Sequence, residues 1–205
     1  MNPRILAIAL AALSTGAAAQ GVQRPARAGD VAVYAGEQKS DRVRYEETVT
    51  VTGIEGEQIR TRHVRPDRPA PLEGIYTRDW ATARSGTTGT VYEPAVRSFP
   101  QPLEVGRSWE GTHKGRMPNG GLFQLKLEST VAARERLATP AGEFDTFRID
   151  SKGYLSGLSF QRGFALTQKV WYAPAIDRIV RTEYREQRSL GADNVVELKA
   201  FRPAD

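Results

Sequence analysis

Ala138-Thr-Pro-Ala-Gly-Glu-Phe-Asp-Thr-Phe-Arg-Ile-Asp150 and, further on, Val170-Trp-Tyr-Ala-Pro-Ala-Ile-Asp-Arg-Ile-Val180 decide how this chain is read. Both segments alternate apolar and polar residues around a proline-marked break, which is the pattern of strand, turn and strand. Pro140 fixes one backbone angle and Gly142 frees another, so the chain reverses there. Phe144 and Phe147 then anchor the new strand to a core. Pro174 cannot donate to a sheet ladder, so the strand carrying Trp171 and Tyr172 ends before it. Alternation sends Trp171 and Tyr172 to opposite faces, one buried and one more exposed. Trp171 is read as packing the strand end.

The same period runs outward in both directions. Leu122 to Val131 alternates cleanly, with Phe123, Leu125, Leu127 and Val131 on one face and Gln124, Lys126 and Glu128 on the other. That describes a sheet with one buried and one wet side. Val131 to Leu137 contains residues that suit a helix but reads better as a continued strand. Pro118-Asn119-Gly120-Gly121 is the strongest turn, and Glu55-Gly56 marks another hairpin between Arg44–Ile54 and Gln58–Val64. Asp30–Tyr34, Glu73–Trp80, Thr90–Tyr92, Ser108–Lys114, Tyr154–Phe160, Phe164–Tyr172, Arg178–Tyr184 and Val195–Phe201 add further strands. The expectation is an all-β protein, a single antiparallel sandwich or partly open barrel of about ten strands over residues 30–205.

The N-terminus is a different kind of segment. Arg4 precedes an apolar run from Ile5 to Leu13, and Ala17-Ala18-Ala19 supplies small residues before Gln20. Residues 1–19 are therefore read as a cleavable export signal, too short for a membrane-spanning helix. Residues 20–29, polar and holding Pro25, read as a flexible lead-in. Export points to the periplasm or the exterior. The 205-residue chain has no cysteine, which excludes disulfides, thiolate metal sites, a cysteine nucleophile and the acylated cysteine of a lipoprotein. Loss of Arg4 with the signal lowers the formal charge from +5 to +4. Charges of both signs are interspersed, unlike the basic stripe of a nucleic-acid binder.

Little in the sequence resembles catalytic or cofactor machinery. The two histidines, His63 and His113, lack metal-ligand spacing, and the expected state of His63 is a surface or half-buried side chain. Neither a Gly-x-Ser-x-Gly elbow nor a phosphate-binding glycine loop occurs; Ser156 and Ser159 lie in a strand pattern. No cofactor is implied. A hydrolase of envelope polymers would need Glu143 and Asp145 to converge with Glu46 or Glu47. Arg60, Arg62, Arg65 and Arg68 form a basic stretch. It reads either as a contact for a lipid phosphate or acidic glycan, or as the charge that protects an edge strand from aggregation. Trp80, Trp109 and Trp171 each suit either a ligand cleft or a core.

Three blocks resemble a family of secreted, β-rich proteobacterial proteins of unassigned function. They are Pro102-Leu-Glu-Val-Gly-Arg-Ser-Trp109, the Pro-Ala-Gly-x-Phe turn at Pro140, Gly142 and Phe144, and the Trp-Tyr-x-Pro strand end at Trp171, Tyr172 and Pro174. The family pattern has a glycine near position 177, where this chain has Asp177. The resemblance implies a β-rich exported protein and no catalytic residue. The functional expectation is a non-enzymatic binding or envelope-accessory protein for a hydrophobic or anionic ligand. A protein-interaction module using an exposed strand edge is the alternative, ahead of the hydrolase.

Overall fold

The computed structural model describes residues 24–188 and 191–205. The expected export signal and residues 20–23 lie outside them. Twelve antiparallel strands run in chain order: β1 (Val31–Gln38), β2 (Val43–Glu55), β3 (Gln58–Val64), β4 (Leu72–Thr77), β5 (Thr82–Arg84), β6 (Val91–Val96), β7 (Ser108–Arg116), β8 (Leu122–Thr139), β9 (Gly142–Gly157), β10 (Gly163–Ala173), β11 (Arg178–Glu186) and β12 (Asp193–Arg202). Each pairs with its neighbours in sequence, and β1 pairs with β12, so the sheet closes into a barrel. The all-β expectation holds. Its details change: there are twelve strands rather than about ten, and the sheet is a closed barrel rather than a sandwich or partly open barrel. Closure follows from the β1–β12 ladder, Val31 opposite Arg202 through Gln38 opposite Asn194, which alternation within single strands cannot reveal.

Closure also corrects the edge readings. β3 is paired on both sides, with β2 and with β4, so Arg60 and Arg62 do not guard an edge. A closed sheet has no terminal strand to offer a partner, and the edge-docking alternative has no terminal strand among the described residues.

The turns use the residues that the sequence marks. β2 and β3 are joined through Gly56, whose φ of 54° lies in the left-handed region that favours glycine. Thr139 pairs with Gly142 across Pro140-Ala141, and Gly142 has φ 127°. At Met117–Gly121 only Gly120 takes a positive φ, and Asn119 instead accepts the Gly121 N–H at 3.1 Å. Asp177 has φ 51°. It holds the left-handed turn position near which the resembled family has glycine, a conformation aspartate tolerates better than most residues. Its carboxylate accepts from Tyr172 Oη at 2.7 Å and from the Ala26 amide at 3.0 Å.

Two apolar clusters fill the barrel beneath β7–β11. Phe123, Leu125, Leu127 and Leu166 form one. Val131, Ile149, Val170 and Tyr172 form the other with Phe99, which enters from the β6–β7 connection and stacks on Tyr172 at 4.2 Å. Each such side chain contributes about 1.5–3 kcal/mol on burial. The β8–β9 hairpin is longer than its neighbours, and a bulge at Val131/Ala133 bends it. Beyond the bulge it folds over the neighbouring strands, and Ala141 N donates to Leu198 O.

That overlap explains an unexpected result. Trp171 and Tyr172 do face opposite sides, yet both are buried, 7% and 3% exposed. Tyr172 belongs to the interior cluster. Trp171 packs with Val180 and Leu198 beneath Leu137, Ala141 and Phe144 of the hairpin, and its Nε1 donates to Glu135 at 2.6 Å.

The barrel seam is held by one carboxylate. Asp30, 1% exposed, precedes β1. It accepts from both terminal nitrogens of Arg24 at 3.0 Å, from Arg27 N at 3.0 Å, from Ala204 N at 2.8 Å and from Arg178 Nη2 at 2.9 Å. The lead-in expected to be flexible is thus docked over residues 24–29, with Ala26 buried and Gly29 N donating to Val51 O. Burial opposes ionisation of Asp30, but the Arg24 hydrogen bond, the Ala204 and Arg27 amides and the Arg178 charge outweigh it. The carboxyl is held below its ordinary 3.8.

Two stability predictions follow from these contacts. Trp171→Ala removes a buried indole and its hydrogen bond, and should cost about 3–5 kcal/mol. Thermal unfolding followed by circular dichroism would show a large drop in Tm; an unchanged Tm would mean that the hairpin layer adds nothing. Asp30→Asn leaves Arg178 with its buried charge uncompensated, a change of about 3–5 kcal/mol near neutral pH. Because the folded-state carboxyl is depressed, its contribution is present above pH 3.8 and fades as pH falls through the folded value. Urea unfolding of both proteins at about pH 7 and about pH 2.5 should show the gap narrowing in acid; a constant gap would show that the charge is not what matters.

Candidate functional site

The half of the barrel formed by β1–β4, β11 and β12 is not filled. It holds a half-open cavity of about 260 Å³. Alternation places its lining. Ala32 and Tyr34 come from β1, Tyr45, Glu47, Val49 and Val51 from β2, Thr61 and His63 from β3, and Tyr76 from β4. Ile179, Thr182 and Val196 complete the far wall, and Trp80, Thr87 and Ser98 come from the connections. Small residues make room for the large ones: a Cβ at Gly86 would sit 2.0 Å from the His63 ring, and one at Gly36 would sit 2.2 Å from the Tyr45 ring.

The polar groups of the lining are organised around Glu47 and His63, 5% and 6% exposed. The expectation of a surface or half-buried His63 is corrected. Its position on the inward face of a strand paired on both sides takes it away from Arg60 and Arg62, which lie on the outward face. His63 Nδ1 lies 3.3 Å from Glu47 Oε1, and its Nε2 lies 3.0 Å from Thr61 Oγ1 and 3.4 Å from Tyr76 Oη. Thr87 Oγ1 donates to Glu47 Oε2 at 3.3 Å. On the opposite wall Tyr34 Oη donates to Ile179 O at 3.0 Å, and the Arg178 guanidinium lies 4.5 Å from the centre of the Trp80 ring. Burial, more than any neighbouring charge, pushes the phenols of Tyr34 and Tyr76 up to about 12.

The four arginines are divided between two places. Arg60, on the outward face of β3, contacts Glu73 at 3.0 Å and Glu55 at 3.3 Å. Arg62 shares that face and is exposed. Arg65 and Arg68 follow on the proline-bounded loop and turn toward the cavity. Arg65 bonds Asp67 at 2.9 Å and lies 3.6 Å from the centre of the Tyr45 ring, while Arg68 Nη1 lies 3.9 Å from Glu47 Oε1. The stretch does not form one basic surface.

The carboxylates proposed for a hydrolase are not brought together. Glu143 and Asp145 are exposed on β9, with Glu143 paired to Arg136 at 3.1 Å. Glu46 points out of β2 toward Lys199, and only Glu47 points in. Ser159 Oγ accepts the Leu122 N–H at 2.8 Å, a structural contact. His113 is buried against Pro94 O at 2.9 Å. Among the described residues no group of three His, Asp or Glu side chains could hold a metal ion.

Sequence reasoning named Trp80 but missed Tyr34, Glu47, His63 and Tyr76 as one group. A usable signal existed: polar and aromatic residues share the inward positions of β1–β4 with Ala32, Val49, Val51 and Ile59, where the inward positions of β8 are mostly aliphatic.

No family model and no curated protein matches this chain. Solved structures do. A candidate lipoprotein from Parabacteroides distasonis superposes with a TM-score of 0.58 at 13% identity, over 87% of this chain and 97% of that one. A candidate exported protein with a YmcC-like fold from Bacteroides fragilis gives 0.55 at 12%, over 87% and 97%. The hypothetical lipoprotein YmcC from Escherichia coli gives 0.50 at 11%, over 85% of each chain. At these identities the likeness is one of fold.

The buried phenols predict a pH response at the alkaline end. A phenol whose folded-state value is raised contributes stability that is complete below pH 10 and lost as pH rises through about 12. Ultraviolet titration should show part of the tyrosine population ionising late, with unfolding promoted over the same range. Ionisation of all tyrosines near pH 10 in the folded protein would contradict the buried placement.

Proposed function

We propose that this chain is an exported, non-enzymatic binding protein whose barrel holds a small, largely apolar ligand in the cavity between β1–β4 and β11–β12. The observation that carries this reading is the cavity itself. Beneath β7–β11 the barrel packs to a solid core, while the other half leaves about 260 Å³ open among Ala32, Val49, Val51, Ile179 and Val196. Apolar walls with a few fixed polar groups are the usual make-up of a ligand site. The volume is slightly below the roughly 300–1,000 Å³ of sites for drug-sized molecules, so the ligand is small.

Export rests on the segment Arg4 to Ala19 and agrees with the exported protein and lipoproteins that share the fold. The three motif blocks resemble those of the secreted β-rich family, which supports export, and the periplasm is the compartment we propose. With no cysteine in the sequence, the lipid tether of a lipoprotein has no attachment point.

Among the described residues no helix is long and apolar enough to cross a membrane. The strands' outward faces carry Arg60, Arg62, Lys126, Glu128 and Lys152. An outward arginine or lysine would cost about 2–4 kcal/mol at a bilayer midplane. This barrel therefore sits in water. An anionic ligand is less favoured than an apolar one, because Arg60, Arg65 and Arg178 are already engaged by carboxylates.

The test is recovery of the ligand. Native mass spectrometry of the mature protein, isolated gently from the periplasm of its exporting cells, should show a bound small molecule that organic solvent removes. Only ligand-free protein, with no uptake of small apolar molecules by the emptied barrel, would overturn the proposal.

A further inference from the structure

The three tryptophans differ in one respect. Trp171 Nε1 donates to Glu135 and Trp109 Nε1 donates to Arg97 O at 3.2 Å. Trp80 Nε1 is buried and has no hydrogen-bond partner among the described residues; it is the one such side-chain atom there. A buried indole N–H normally finds an acceptor, because leaving it unpaired forfeits its bond to water. Trp80 also lines the cavity.

The chain holds this side chain in place against its own preference. Trp80 has φ 58°, a left-handed conformation that is unfavourable for a bulky residue. A compact network enforces it: Trp80 N donates to Thr77 O, Thr77 N to Ala81 O, and Ala81 N to Thr77 Oγ1, each at 2.9 Å. Thr77 Oγ1 also bonds Asp79. The Arg178 guanidinium packs over the ring, and Tyr76 tilts against it at 5.4 Å. Non-glycine residues held at positive φ cluster at ligand sites, where surrounding structure fixes an otherwise costly geometry.

The charges around the cavity are already matched. Arg178 pairs with Asp30 at 2.9 Å, and Glu47 has His63 at 3.3 Å and Arg68 at 3.9 Å. A charged ligand would therefore find no unmatched counter-charge in the lining. A neutral ligand with one acceptor would satisfy the indole and bury the rest of its surface against Val49, Val51 and Ile179.

Building on the cavity reading above, we propose that Trp80 is the specificity-determining residue of the site. It donates its indole N–H to the ligand, and the ligand class is a small, uncharged, mostly apolar molecule bearing a carbonyl or ether oxygen.

Two probes of similar shape separate this from simple apolar binding: cyclohexanone, which carries an acceptor, and methylcyclohexane, which does not. The uniformly 15N-labelled mature protein is titrated with each, and the indole N–H of Trp80 is assigned from its absence in Trp80→Phe. The ketone should move the Trp80 indole proton downfield and bind about tenfold more tightly than the hydrocarbon, the worth of one hydrogen bond. Trp80→Phe keeps a ring for Arg178 and Tyr76. It should abolish the ketone's advantage over the hydrocarbon. If that variant fails to fold, the wild-type resonance, assigned through its contacts with Tyr76, decides. Equal binding of both probes with a stationary Trp80 proton would overturn this proposal and leave the cavity reading standing, since a buried water would then hold the proton. Failure of both probes to shift any cavity resonance would overturn the cavity reading and this proposal with it.

Discussion

The carboxylate of Asp30 is the contact on which the closed barrel depends. It gathers the segment before β1, the start of β11 and the residue just beyond β12 through Arg24, Arg178 and the Ala204 amide. The β1–β12 ladder joins the two ends of the chain, so it has the largest sequence separation and the greatest loop entropy to overcome. A buried, multiply hydrogen-bonded ion pair contributes little net energy against an apolar alternative, but it tolerates only one arrangement. Its presence at the seam fixes which residues of β1 face which residues of β12. A slip of one residue would leave both Asp30 and Arg178 buried and unmatched.

The same guanidinium connects the seam to the cavity. Arg178 is bound by Asp30 on one side and packs over Trp80 on the other. The ion pair that closes the sheet therefore also positions the wall of the site. The two halves of the interior differ for a related reason. Under β7–β10 the inward residues are mostly Phe, Leu, Ile and Val, which pack densely without directional demands. Under β1–β4 Tyr, Glu, His and Thr stand among Ala32, Val49, Val51 and Ile59, and these polar groups must satisfy hydrogen bonds as well as fill space. The cavity lies where a few polar groups interrupt an otherwise apolar lining.

What the resembled motifs do is also clearer in three dimensions. Phe144 and Phe147 both hold β9, but on opposite sides of the wall: Phe144 against Trp171 in the outer layer, Phe147 against Tyr172 inside. Asp177 takes the turn conformation near which glycine stands in the family pattern, and adds two hydrogen bonds that glycine could not make. These motifs record how the β8–β11 wall is assembled. None of the motif residues themselves is in the cavity lining, although Arg178 and Ile179 beside them are.

Sequence alone determined the strand character, most turns and the buried face of the strand from Leu122 to Val131, because these follow from local periodicity and turn chemistry. Leu122 to Thr139 could be read as one strand, and Pro140 to Gly142 as its reversal, without any knowledge of the rest. Tertiary structure decided closure, and with it the status of β3 as an interior strand, the burial of both Trp171 and Tyr172, the separation of Arg60 and Arg62 from Arg65 and Arg68, and the pairing of Glu47 with His63. Each of these depends on contacts between residues far apart in the chain, and alternation says which face a residue occupies but not what stands opposite it. His63 shows the limit most simply. Its neighbours in sequence are arginines that suggest a wet surface, whereas its neighbours in space are Glu47, Thr61 and Tyr76, because the barrel that encloses it is completed by strands more than a hundred residues away.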